Sequence, residues 1–142
     1  MNTTPDILGV SEPDWALVFS DEIELGAAAR YWRAITIAMQ DAGTLGPENE
    51  ASVSRLITVY ILYDRAMREV AENGAVIPAK KRSSRSIARV NPHFTALTKL
   101  SSEATALESA LGVTPRSRGK VTARLRKANR TQAADRYLKV VK

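Results

Sequence analysis

The 142-residue chain contains no cysteine. No disulfide, thiol nucleophile or Cys-based metal site can form, and the composition suits a reducing compartment. Histidine occurs once, as His93. A metal centre would need carboxylates alone around this one imidazole, and no Ser-His-acid arrangement is suggested by the spacing. Aromatic residues make up only 6%, and none interleaves the basic residues between Lys80 and Arg89. That argues against a base-stacking platform for single strands. No apolar run approaches the ~20 residues of a membrane span. The first residues, Met1 to Asp6, lack the basic start and apolar core of a signal peptide. A soluble intracellular protein is expected. The segment Gly112 to Val121 has a superficial likeness to a phosphate-binding loop. It has six residues between its glycines instead of four, and Val121 where a Ser or Thr would hold magnesium. No nucleotide, cofactor or metal site is expected, and no enzyme.

Hydrophobic residues at 44% and charged residues at 25% are ordinary for one globular domain. The charge is not evenly placed. Residues 1–50 carry nine acids and two bases, a net of −7, whereas residues 51–142 carry nineteen bases and six acids, a net of +13. An acidic front and a basic back imply two surfaces with different partners. The back half suits a polyanion.

Apolar spacing organises the chain. Residues 1–14, with Pro5, Gly9 and Pro13, read as a flexible arm. Trp15 to Phe19 allows a short helix with Ser11 as its cap. Ala28, Tyr31, Trp32, Ile35, Ala38, Met39 and Ala42 recur at three and four, which predicts a helix from about Asp21 to Ala42. Asp21, Glu22 and Glu24 suit its first turn, and Gly43 its end. A second helix is predicted from about Pro47 to Asn73, ended by Gly74. Its apolar arc covers more than half its circumference, where packing on one side needs little more than ~100°. Such a helix is central in its own fold or shared with a neighbouring subunit. In so small a chain the second is favoured, with Val59, Leu62, Ala66 and Val70 as interface candidates.

Ala75 to Ile77 and Ser86 to Val90 could pair as a short hairpin around a basic segment. Asn91 then caps a third helix with Pro92 at its first position. Leu97, Leu100, Ala104, Leu107 and Leu111 follow at 3-4-3-4 spacing, and Leu97, Leu100 and Leu107 extend the candidate interface. His93 falls on or near that stripe, as a capping or packing residue. Gly112 ends this helix, and Thr114 and Pro115 begin a strongly basic fourth. The aromatic side chains Trp15, Tyr31, Trp32, Tyr60 and Tyr63 lie on the apolar spacing and read as core or interface. The fold class is all-α: about four helices, with a basic loop or short hairpin between the second and third long ones. The helical domain spans 15–128, and a basic tail spans 129–142.

Phosphate contacts are expected from Lys80, Lys81, Arg82, Arg85 and Arg89. Further ones are expected from Arg116, Arg118, Lys120, Arg124, Lys127 and Arg130. Contacts of this kind release counterions and give affinity without choice of sequence. A different arrangement, a helix-turn-helix around Gly43 to Pro47, would make the chain a small dimeric DNA-binding regulator.

Five pieces occur in a fixed order: Tyr31-Trp32-Arg33, the turn from Ala42 to Glu50 (AGTLGPENE), Arg68 to Ile77 (REVAENGAVI), Asn91-Pro92, and Leu111 to Arg118 (LGVTPRSR). In this order and spacing the chain resembles the small terminase subunits of tailed phages, in the P27-like family. The resemblance covers about residues 24–120. It implies a helical protein that assembles into a homo-oligomeric ring. It also implies recognition of double-stranded viral DNA at packaging initiation, in the cytoplasm of the bacterial host. The implied partner is the large terminase subunit, which carries the ATPase and nuclease. Two features depart from the pattern: the Gly-free, more basic stretch from Lys80 to Arg89, and the longer basic extension after Lys120.

Overall fold

A computed structural model describes residues 9–79 and 87–115, together with Ala123 and Lys127. Its main elements are three long helices, α1 (Glu22–Asp41), α2 (Glu50–Asn73) and α3 (Pro92–Leu111), and a two-stranded hairpin, β1 (Val76–Ile77) with β2 (Arg89–Val90). Short 3-10 turns at Trp15–Leu17 and Pro47–Asn49 lead into α1 and α2. The first segments of the chain, the basic stretch from Lys80 to Ser86 and nearly all of the expected fourth helix and tail fall outside the described residues. Pro115, Ala123 and Lys127 are helical.

The boundaries follow from local chemistry. Asp21 caps α1: its Oδ1 accepts hydrogen bonds from the backbone N–H groups of Ile23 at 2.7 Å and Glu24 at 3.3 Å. Asn91 caps α3 in the same way, accepting from His93 N–H at 2.9 Å, and Pro92 needs no partner for a missing N–H. Gly112 closes α3 at φ 70°, in the left-handed region where a side chain is strained. One cap differs from expectation. Asp14, not Ser11, starts the turn at Trp15, its carboxylate accepting from Ala16 N–H at 3.1 Å. The Ser11 N–H points instead to Glu50, 3.4 Å away.

The core is continuous across all three helices. Ala28, Trp32, Ile35 and Met39 of α1 pack with Val53, Leu56, Ile57, Val59 and Ile61 of α2, and with Ala104 and Leu111 of α3. Trp15 and Phe19 close one end, with Trp15 edge-on to Trp32 at 6.2 Å. Val10 is buried with them, so the docked chain begins ahead of Trp15. Helix α2 is flanked by α1 and by α3, packing more extensively on α3. Its wide apolar arc is occupied from both sides within one chain, and so does not by itself require a second copy. Val59 and Ala66 are buried, and Leu100 and Leu107 flank the core. Of the expected interface set, Leu62, Val70 and Leu97 are half-buried.

Candidate nucleic-acid interface

The hairpin is built on the junction between α2 and α3. Gly74 ends α2 at φ 79°, which turns the chain out of the helix. Val76 then pairs with Val90, and Ile77 with Arg89, in antiparallel register. The two ends of the segment carrying Lys80, Lys81, Arg82 and Arg85 are thereby held side by side. Arg89, on β2, is exposed. Lys80, Lys81, Arg82 and Arg85 themselves lie outside the described residues, as do Arg116, Arg118, Lys120, Arg124 and Arg130. Lys127 is helical and exposed.

Asn91 anchors this hairpin. Its side-chain amide donates to Gly74 C=O at 2.8 Å, and its backbone N–H donates to Ala75 C=O at 2.9 Å. With its Oδ1 capping α3, the residue uses donor and acceptor together and is almost fully buried. The cap was legible in the sequence. The tie to Gly74 was not, because it spans seventeen positions that no local pattern links.

The acidic residues of α1 have a structural job. Glu24 is buried, and its carboxylate accepts from Arg65 Nε at 2.9 Å and Nη2 at 2.6 Å, with Arg68 at 3.3 Å. The Arg65 hydrogen bond holds the Glu24 carboxyl below the usual carboxylate range, against the opposing effect of burial. Both arginines are about half exposed. Glu24 offsets one of their two charges, and Asp21, Glu69 and Glu72 line the same groove, which makes the arginines poor phosphate anchors. His93 is exposed at the first turn of α3, off the buried stripe, and no metal-holding group of side chains occurs among the described residues.

Helices α1 and α2 form an antiparallel pair. Glu24 meets Arg65, and Tyr31 meets Asp64 and Tyr60. These contacts lie far from the turn at Gly43 on both sides, so the helices stay together along their length. A helix-turn-helix would have them diverge at roughly 90–120°. The structure does not support that arrangement at Gly43 to Pro47. No described helix is long and apolar enough to cross a membrane.

The family model described as phage terminase, small subunit, matches residues 28–128. That span runs from Ala28 in the second turn of α1, through the hairpin, into the basic segment beyond α3. No curated protein and no solved structure matches significantly.

Proposed function

Because the chain belongs to the phage terminase small-subunit family, we propose that it is the non-enzymatic, DNA-engaging subunit of a phage packaging machine. It binds duplex viral DNA at packaging initiation and recruits or regulates the large subunit. Several copies form a closed ring. Around that ring, each copy presents the basic segment Lys80 to Arg89, and the cationic residues after Pro115, to duplex phosphates. Repetition raises avidity through effective concentration without demanding a strong single site. The acidic first third stays away from DNA and faces solvent or the large subunit.

The observation that carries this reading is the hairpin root. Val76 and Val90 hold both ends of a segment with five basic residues, and Asn91 locks that root to the helices. A cationic segment anchored in this way presents its charge at low cost in ordering.

Its test is the salt dependence of binding to a labelled DNA duplex. Reversing charge at Lys81, Arg82 and Arg85 weakens binding and flattens the log–log salt slope, by about 0.9 for each phosphate no longer neutralised. Unchanged affinity and slope would remove the segment from the interface.

A further inference from the structure

A cleft of about 440 Å³ opens where α1, α2 and α3 meet. Tyr31, Tyr60, Tyr63, Asp64 and Glu108 line it. Tyr60 donates to Glu108 Oε1 at 2.6 Å, and Tyr31 donates to Asp64 Oδ2 at 2.9 Å. The two rings tilt against each other with centroids 5.1 Å apart.

The chemistry here contrasts with that around Glu24. There, two arginines neutralise a carboxylate between α1 and α2. In the cleft, no ion pair reaches Asp64 or Glu108 among the described residues. Each carboxylate accepts one tyrosine hydroxyl, and an ionised carboxylate has room for about three more hydrogen bonds. Three aromatic rings border the same space, and the negative face of a ring attracts cations. A guanidinium fits both demands, since it is planar, stacks on aromatic faces and forks onto carboxylates. An ammonium meets only part of them.

We infer that this cleft receives an arginine side chain from the basic C-terminal segment of a second copy of the chain. The occupant follows from charge complementarity. Residues 112–142 carry ten bases and one acid, with arginine at 116, 118, 124, 126, 130 and 136. The inference rests on the self-assembly proposed above and gives it a specific contact. The tail of one subunit clasps the helical body of the next, so subunit contact and DNA compete for the same cations.

The test places a photo-crosslinking benzoylphenylalanine at position 63 of the full-length chain, in a mixture of isotopically light and heavy copies. After irradiation, digestion and mass spectrometry identify the attached peptide and whether it came from another copy. Crosslinks from position 63 to residues 116–142 of a different copy are expected. Glu108→Gln lowers their yield about fivefold, as a partly desolvated cation deprived of one carboxylate should, whereas Glu22→Gln on exposed α1 leaves it unchanged. Crosslinks within one copy, crosslinks elsewhere, none at all, or full yield with Glu108→Gln overturn the inference. Light scattering on the same samples reads assembly separately. Multimeric protein without the crosslink would defeat the clasp and leave the ring standing, while monomeric protein would defeat the ring itself.

Discussion

The side-chain amide of Asn91 hydrogen-bonds the carbonyl of Gly74 at 2.8 Å, joining the end of α2 to the start of α3. The same residue caps α3 through its Oδ1. Asn91→Ala removes both interactions and leaves a carbonyl without its partner. The expected cost is about 1–3 kcal/mol. Asn91→Asp keeps the capping acceptor but loses the donor, and so falls between. Urea denaturation followed by tryptophan fluorescence checks this, because Trp15 and Trp32 are both buried. Equal midpoints for wild type and Asn91→Ala would show that the hairpin root is not held by this residue.

Glu24 gives the chain an acid-sensitive joint. Its folded carboxyl is depressed below the ordinary value by Arg65. Such a group stabilises the fold above its unfolded pKa, near 4.5, and loses that contribution as pH falls through the lower folded value. Wild type should therefore lose stability below about pH 4.5 more steeply than Glu24→Gln. At neutral pH the same substitution costs about 1–2 kcal/mol, less than a fully buried pair because the arginines are half in water. Denaturant midpoints at pH 7 and at pH 3 measure both effects. Parallel curves would mean that the ion pair is unlinked to folding.

Much of this fold is written locally. Asp21, Gly43, Gly74, Asn91-Pro92 and Gly112 mark helix ends by side-chain capping and by left-handed backbone, and both act within a few residues. The stripe from Leu97 to Leu111 also reads directly, since one face of α3 packs on one neighbour. The arc of α2 misleads for a physical reason: two partners in the same chain and one partner in another chain produce the same breadth of apolar residues. Glu24 reads as a first-turn acid because its arginines lie about forty positions away. The cleft tyrosines read as core because helical spacing does not distinguish a ring packed on leucine from a ring lining a space. The expectation of a polyanion rests on the clustering of basic residues in the back half, and the pairing of Val76 with Val90 adds where the segment between them is anchored.

The assembly proposed above would draw on apolar side chains that the chain leaves uncovered. Ile23 and Met67 border one groove between α1 and α2, at 68% and 41% exposure. Leu62, Val70 and Leu97 are half-buried. Placing a charge at these positions desolvates it only if a neighbour covers the site. Met67→Glu and Leu97→Glu should reduce the mass seen by light scattering while leaving helical circular dichroism unchanged. A mass equal to that of wild type in both variants would place the subunit contact away from Met67 and Leu97.

The tyrosines of the cleft set an alkaline limit. Burial, followed by the hydrogen bond to Glu108, pushes the Tyr60 hydroxyl well above its ordinary range. Burial and Asp64 push Tyr31 in the same direction. A group with a raised folded pKa stabilises the fold below its unfolded value, near 10, and loses that contribution as pH rises toward the folded value. Stability should therefore fall above about pH 10. Tyr60→Phe removes the largest part of that slope while costing about 1 kcal/mol at neutral pH for the missing hydrogen bond. Ultraviolet titration of phenolate supplies the independent reading. Tyr31 and Tyr60 should ionise above the ordinary tyrosine range in wild type, and one late step should vanish in Tyr60→Phe. If no tyrosine of the folded protein ionises late, the Tyr31 and Tyr60 hydroxyls are not held by Asp64 and Glu108. The cleft would then lack the fixed carboxylates that a guanidinium requires.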